Sequence, residues 1–238
     1  MKALAPLLGS LAIASAATAA AAAPACHPPK GLAPAPAYDP PPGEVVRGVP
    51  IAYYLLAITW APEWRRHKGD TAAFAPELDP EPWPQGFALH GLWPNGAAPP
   101  YPRYCRPVGP IPAAVVREMY CRTPSAKLLQ HEWAAHGACA WDTPAAYFRQ
   151  AAALYDRIRL PHIEKRPVLT AGDLRAAFMA RNAWLRPEAI YVAAEADGTF
   201  SEIRLCFDTA YRPAACPGGN GAPDSQALGL TPSTTRRF

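Results

Sequence analysis

Strand-forming and helix-forming segments of this chain fall into separate blocks, and that order limits the fold more than any other feature. The run Ile51 to Trp60 (Ile-Ala-Tyr-Tyr-Leu-Leu-Ala-Ile-Thr-Trp) is aromatic and aliphatic and stops at Ala61-Pro62, the pattern of a buried strand. Gly86 to Leu92 reads as a second short strand, stopped by Pro94. Helical segments follow: Ile111 to Tyr120, then Ser125 to His136 with Ser125 as N-cap and Gly137 as its stop. In Thr143 to Leu160, Thr143 caps, Pro144 sits in the first turn, and Phe148, Ala152, Tyr155 and Ile158 share one face. Ala171 to Asn182 places Leu174 and Phe178 on one side. Two further strands, Ala189 to Ala194 and Thr199 to Phe207, are joined through Asp197-Gly198, a hairpin signal. Helices without regular βαβ alternation predict an α+β fold rather than a doubly wound α/β sheet.

The two ends of the chain read differently from this middle. Met1-Lys2 and the alanine-dominated run Leu4 to Ala23, with Ala-Ala-Ala before Pro24, predict a secretory signal peptide over residues 1–23. The alternative is a membrane anchor, for which the run is long enough, but it is rich in Ala rather than Leu or Ile and ends in small residues. Residues 24–50, with Pro40-Pro41-Pro42-Gly43, predict an extended, poorly packed lead-in. Arg65 to Pro84 is irregular, and Ala97 to Pro112 is a loop containing Cys105. Residues 218–238 hold few large apolar side chains and predict a disordered tail. One domain over 51–217 remains, large enough to bury a core. Six cysteines in an exported chain imply disulfides. The formal charge of +4 falls by one when Lys2 leaves with the leader. A mildly basic protein favours an anionic partner without identifying one.

Two histidine stretches carry the chemistry: Phe87-Ala-Leu-His90-Gly-Leu-Trp-Pro-Asn95 and Gln130-His131-Glu-Trp-Ala-Ala-His136-Gly-Ala-Cys139. Imidazoles titrate near neutrality, so a pair can serve as base and acid in one turnover. Such a pair suits a phosphodiester that carries its own nucleophile, as RNA does in its 2′-hydroxyl. On a helix Glu132 and His136 lie within about 40° of each other, whereas His131 and His136, five apart, diverge by about 140°. The zinc-protease pattern needs its histidines four apart, so the metal reading loses its geometry, and no metal or other cofactor is expected. A metal-dependent hydrolase remains the alternative and predicts loss of activity in EDTA. Gly91 after His90 allows another group to approach closely. Trp93 reads either as packing or as a platform for a base.

His90-Gly91-Leu92-Trp93-Pro94 and His131-Glu132-Trp133-x-x-His136-Gly137-x-Cys139 resemble the two signatures of the ribonuclease T2 family, and the aromatic strand Tyr53 to Trp60 precedes the first as it does there. The resemblance covers roughly Ile51 to Pro217. It implies a central antiparallel sheet flanked by helices, and metal-free endonucleolytic cleavage of single-stranded RNA through a 2′,3′-cyclic phosphate with little base preference. It implies His90 and His136 as the acid–base pair, with His136 favoured as base, Glu132 as the carboxylate assisting at phosphorus, His131 as the phosphate-binding histidine and Trp93 as a base-binding aromatic. It also implies Cys105–Cys139 and Cys206–Cys216 bridges, leaving Cys26 and Cys121 to pair by elimination. RNA is the expected partner, DNA is expected to be inert, no membrane attachment is expected once the leader is gone, and a monomer in a periplasmic or secreted setting is expected. One departure stands out: the family often has Lys immediately before the second catalytic histidine, and this chain has Ala135. Either another cation (Lys127 and Arg103 are near in sequence) supplies that charge or turnover is slower. An RNA-binding protein that keeps the fold without cleaving is the competing reading.

Overall fold

The computed structural model describes residues 26–68, 86–164, 166 and 168–233. The expected signal peptide, residues 1–23, lies outside them. The described elements are β1 (Tyr53–Trp60), α1 (Ala61–Lys68), β2 (Phe87–Asn95), α2 (Ala113–Met119), α3 (Ala126–Ala135), α4 (Pro144–Asp156), β3 (Val168–Thr170), α5 (Ala171–Arg181), β4 (Ile190–Ala194), β5 (Phe200–Phe207) and β6 (Ala227–Gly229). Four strands form an antiparallel sheet in the order β2-β1-β5-β4, and β3 pairs with β6 in a second small sheet. With α3 and α4 packed on β2, and α5 on β4, this is the expected α+β architecture.

Local chemistry sets the helix ends. The Ser125 hydroxyl accepts from the Leu128 N–H and the Thr143 hydroxyl from the Ala146 N–H, each satisfying a donor that the first turn leaves unpaired. Thr170 and Asp173 close a reciprocal capping box on α5. In the β4–β5 hairpin the Thr199 N–H donates to the Asp197 carboxylate, and Gly198 takes φ +83°, a conformation that costs a side-chain-bearing residue more.

The core lies on one sheet face. Leu56, Ile58 and Trp60 of β1 meet Leu92, Leu89 and Phe87 of β2 on one flank, and Leu56 and Ile58 meet Leu205 and Ile203 of β5 on the other. Leu89 and Leu92 are three apart, so an unbroken strand would send them to opposite faces. Both are core residues because the register slips between Ala57 and Ile58: Gly91 faces Ala57, Leu89 faces Ile58, and His90 has no partner. His90 is the extra residue of a β-bulge, a device that re-aims a side chain.

Three expectations change. Pro94 does not stop β2; the strand runs to Asn95, because β2 is an edge strand and a missing N–H there breaks no ladder. The segment from Arg65 is not irregular at its start, since α1 begins at Ala61 with Pro62 in its first turn. The lead-in is extended and mostly exposed, as expected, but it is tied to the domain at points: Ala35 is buried, Val46 bridges Arg103, and Cys26 is bonded to Cys121.

The largest correction concerns the tail. Residues 217–233 are ordered, with Leu228 and Leu230 buried, β6 paired to β3, and the Trp60 indole N–H donating to the Thr231 carbonyl at 2.9 Å. The buried Arg175 guanidinium donates to the carbonyls of Asn220 and Ala222. Backbone acceptors, invisible in composition, anchor the segment. Leu228→Ala is expected to cost about 2–5 kcal/mol, read as a lowered urea midpoint at unchanged m-value.

Candidate active site

The opposite face of the sheet carries the polar cluster. His90 emerges from the bulge beside Thr59 and Glu202, and Trp93 beside Arg204. The last turn of α3 brings Glu132, His131 and His136 against them. The helix ends at Ala135, and His136 is its C-cap with φ −124°, ψ −56°. That break swings the ring back toward His131, whose centroid is 6.4 Å away. The divergence of about 140° expected for an ideal helix therefore does not apply, and the donor atoms of His131, Glu132 and His136 lie within 4.8 Å of one another.

Trp93 is the hub. Its ring centroid is 5.2 Å from that of His90, edge-on, and 5.2 Å from that of His136, stacked. Its N–H donates to Glu132 Oε2 at 2.7 Å, and the Arg204 guanidinium lies 5.1 Å above the ring. Glu132 is buried, and its carboxylate occupies the space that a side chain on residue 91 would need: a Cβ on Gly91 would stand 1.9 Å from Oε2. The group admitted by this glycine is thus Glu132. The other oxygen, Oε1, makes no hydrogen bond and stands 3.4 Å from His90 Nε2 and 4.0 Å from His131 Nε2.

The charges sort the two central histidines. Burial opposes charge on His90, but Glu202 and Glu132 outweigh it and push its pKa up to about 10. For His136, burial again opposes charge, and Glu132 cannot offset it against His131, Arg103 and His90; the pKa falls to about 4. Burial also lowers His131. Burial would raise Glu132, but the neighbouring imidazoles, His90 first, hold it at about 2. At neutral pH one imidazole is charged and the other is not.

His131 is covered from the lead-in. The Tyr38 ring meets it edge-on at 4.9 Å, and the Tyr104 hydroxyl lies 3.5 Å from its Nδ1. His90 borders three cavities: the smallest, of about 30 Å³, between Thr59, Ala88 and Leu128, and two open clefts. One, of about 610 Å³, runs past Tyr38, Leu128 and His131; the other, of about 290 Å³, runs past Glu63, Ser201 and Arg204.

The loop at 103–105 explains the missing lysine. The Tyr104 N–H donates to the Ala135 carbonyl at 3.0 Å, Cys105 is bonded to Cys139, and Ala135 has no exposed surface beneath Tyr104. A lysine at 135 would have to displace that ring. Ala135→Lys is expected to destabilise the protein by about 1–3 kcal/mol through overpacking, measured by chemical denaturation. Arg103 stands in the same loop, paired with Glu44 at 3.0 Å, with its Nε unpaired. Lys127 lines the larger cleft. The third bridge, Cys206–Cys216, closes the far end of β5.

Glu202 was missed. It lies 112 residues from His90 in sequence yet accepts from Nδ1 at 2.6 Å, and only the β1–β5 register that sets Glu202 opposite Thr59 brings it there.

Comparison with known proteins shows which class of protein this sheet and its two histidine segments belong to. The Ribonuclease T2 family model matches residues 51–173, and the chain belongs to that family. A probable ribonuclease of Haemophilus influenzae is 28% identical over 178 residues, 70% of this chain and 61% of that protein. A ribonuclease of Aeromonas hydrophila is 36% identical over 88 residues, 37% of each chain. The match thus spans less than two thirds of these curated relatives. Among solved structures, trichomaglin, an S-like ribonuclease, superposes with TM-score 0.61 at 18% identity, covering 76% of this chain and 98% of that one. RNase NT, solved with 5′-AMP, gives 0.57 at 19% identity, covering 77% and 99%.

Proposed function

We propose that this protein is an endoribonuclease that cleaves single-stranded RNA by transphosphorylation to a 2′,3′-cyclic phosphate, followed by hydrolysis, with little base preference. The observation that carries the reading is the meeting of His90 and His136 at Trp93, the first edge-on and the second stacked, with the Glu132 carboxylate beside them. In the first step neutral His136 takes the 2′-hydroxyl proton, the 2′-oxygen attacks phosphorus, and charged His90 gives its Nε2 proton to the departing 5′-oxygen. Roles reverse when water opens the cyclic product. Positioned acid–base catalysis contributes roughly 10²–10⁴-fold per group; the remainder comes from alignment and from charge at the phosphoryl oxygens. His131 offers an N–H to a phosphoryl oxygen. Arg103, on the loop that roofs Ala135, supplies the cation that the family often places at that position.

Trp93 is read as a positioning residue more than a base platform, because His136, Arg204 and Glu132 already engage the indole. Three disulfides support an oxidising compartment, periplasmic or secreted. No helix among the described residues is long and apolar enough to cross a membrane. One chain holds the whole set, so a monomer suffices.

Polymeric RNA and DNA incubated with the protein in EDTA test the reading. RNA should yield cyclic-phosphate ends and DNA, lacking the 2′-hydroxyl, should stay intact. Wild type indistinguishable from His90→Ala would defeat it, and binding without cleavage would favour the non-catalytic reading. EDTA matters because the clustered donors of His131, Glu132 and His136 have a spacing a divalent cation also accepts. We read them as a proton-transfer and phosphate-binding set, since Trp93 and His90 already engage Glu132.

A further inference from the structure

We propose that Glu202 is a positioning residue that fixes the His90 ring through Nδ1 and so commits it to the acid role. The inference rests on the ribonuclease reading above and adds to it a residue that no motif marks.

The geometry is a closed circuit. Glu202 Oε2 accepts from His90 Nδ1 at 2.6 Å and from the Thr59 hydroxyl at 3.0 Å. Its other oxygen accepts from Arg204 Nε at 2.7 Å. Arg204 lies over Trp93, Trp93 donates to Glu132, and Glu132 returns to His90 Nε2. Glu202 is 6% exposed and sits mid-sheet, opposite Thr59 on β1 and Ala193 on β4. With a carboxylate on Nδ1, Nε2 is the nitrogen without a hydrogen-bonded partner and so the one left to give up a proton. The other charged groups around His90 are Glu132, His131 and His136 from α3, Arg204 from β5, Glu63 and Glu195 along the smaller cleft, and Lys127 along the larger. Glu202, hydrogen-bonded to Nδ1, and the Glu132 carboxylate 3.4 Å from Nε2 outweigh the cations further away and favour imidazolium.

Cyclisation forms the 2′-O–P bond and breaks the P–5′-O bond. It consumes the His90 proton and leaves one on His136. Hydrolysis forms a bond from water oxygen to phosphorus and breaks the P–2′-O bond; it needs His90 neutral to take the water proton and His136 charged to protonate the 2′-oxygen. The resting site is set for the first step.

The test uses the dinucleotide UpA as substrate of the purified full chain, followed by ³¹P NMR across pH. Glu202→Gln keeps an acceptor on Nδ1 but removes its charge. It is expected to move the alkaline limb of kcat/KM for cyclisation down by about one pH unit or more, and to lower kcat more than it alters KM. Glu202→Asp should restore the wild-type limb in part. A Glu202→Gln variant whose rate falls while the limb stays put overturns the proposal. If Glu202→Gln does not fold, the ¹H–¹⁵N histidine spectrum of wild type decides: His90 charged through pH 8 supports the assignment, and a neutral ring at pH 7 overturns it. Failure to cleave any RNA would sink the ribonuclease reading instead, and that spectrum would still judge Glu202.

Discussion

Replacing His136 with alanine is expected to lower kcat/KM on RNA by about 10²–10⁴-fold and to erase the acidic limb of the pH profile. On the proposed reading the acidic limb belongs to His136, because a base must be neutral to act. Burial, with His131, Arg103 and His90 nearby, holds its pKa at about 4, despite Glu132. On the same reading the alkaline limb belongs to His90, which must be charged to act as acid and is held at about 10 by Glu202 and Glu132 against the cost of burial. Between those limits the profile should be flat. In His136→Ala the residual activity should keep the alkaline limb and lose the acidic one; in His90→Ala the reverse should hold. The fold limits how far the acidic arm can be followed. Glu132 has a depressed pKa, about 2 against an ordinary 4.5, so its ionised form contributes stability that is present above pH 4.5 and lost as pH falls toward 2. Rates should therefore be paired with a fold measurement below pH 4.5. An acidic limb that survives in His136→Ala would remove this residue from the chemistry.

What could be read from sequence was local. The caps at Ser125 and Thr143 bond to N–H groups three residues on, and the hairpin at Asp197-Gly198 is a turn of adjacent residues. The two histidine stretches were legible as chemistry because each packs its reactive groups into a few residues. What failed depends on neighbours distant in sequence. Pro94 looked like a stop because nothing local marks β2 as an edge strand. The tail looked disordered because its anchors are Arg175, Trp60 and β3. Glu202 carries no motif at all. One ambiguity is local: Pro62 after Ala61 suits a helix's first turn as well as a strand's end, so the sequence alone does not mark the start of α1. The angle between His131 and His136 failed for a different reason, since periodicity assumes a helix that continues and His136 is where this one ends.

Gly91→Ala is expected to lower kcat by about 10²-fold or more, the scale of a catalytic group displaced by about 1 Å, although no catalytic residue changes. The backbone at Gly91 does not need glycine; it pairs with Ala57 within β2. The space does. An added Cβ would lie 1.9 Å from Glu132 Oε2, 2.7 Å from its Cδ and 3.0 Å from the Trp93 indole nitrogen. A carboxylate on a free side chain would simply turn away. This one is buried, and moving it breaks the 2.7 Å bond from Trp93 and the approach to His90. A lost hydrogen bond to a charged group costs about 1.5–3 kcal/mol, so a lower unfolding midpoint should accompany the loss of rate. A double-mutant cycle separates this cause from general damage to the strand. With Glu132→Ala in place the obstructing carboxylate is gone, and adding Gly91→Ala should then cost little further rate or stability. Additive losses would mean that residue 91 acts through the sheet and not through Glu132.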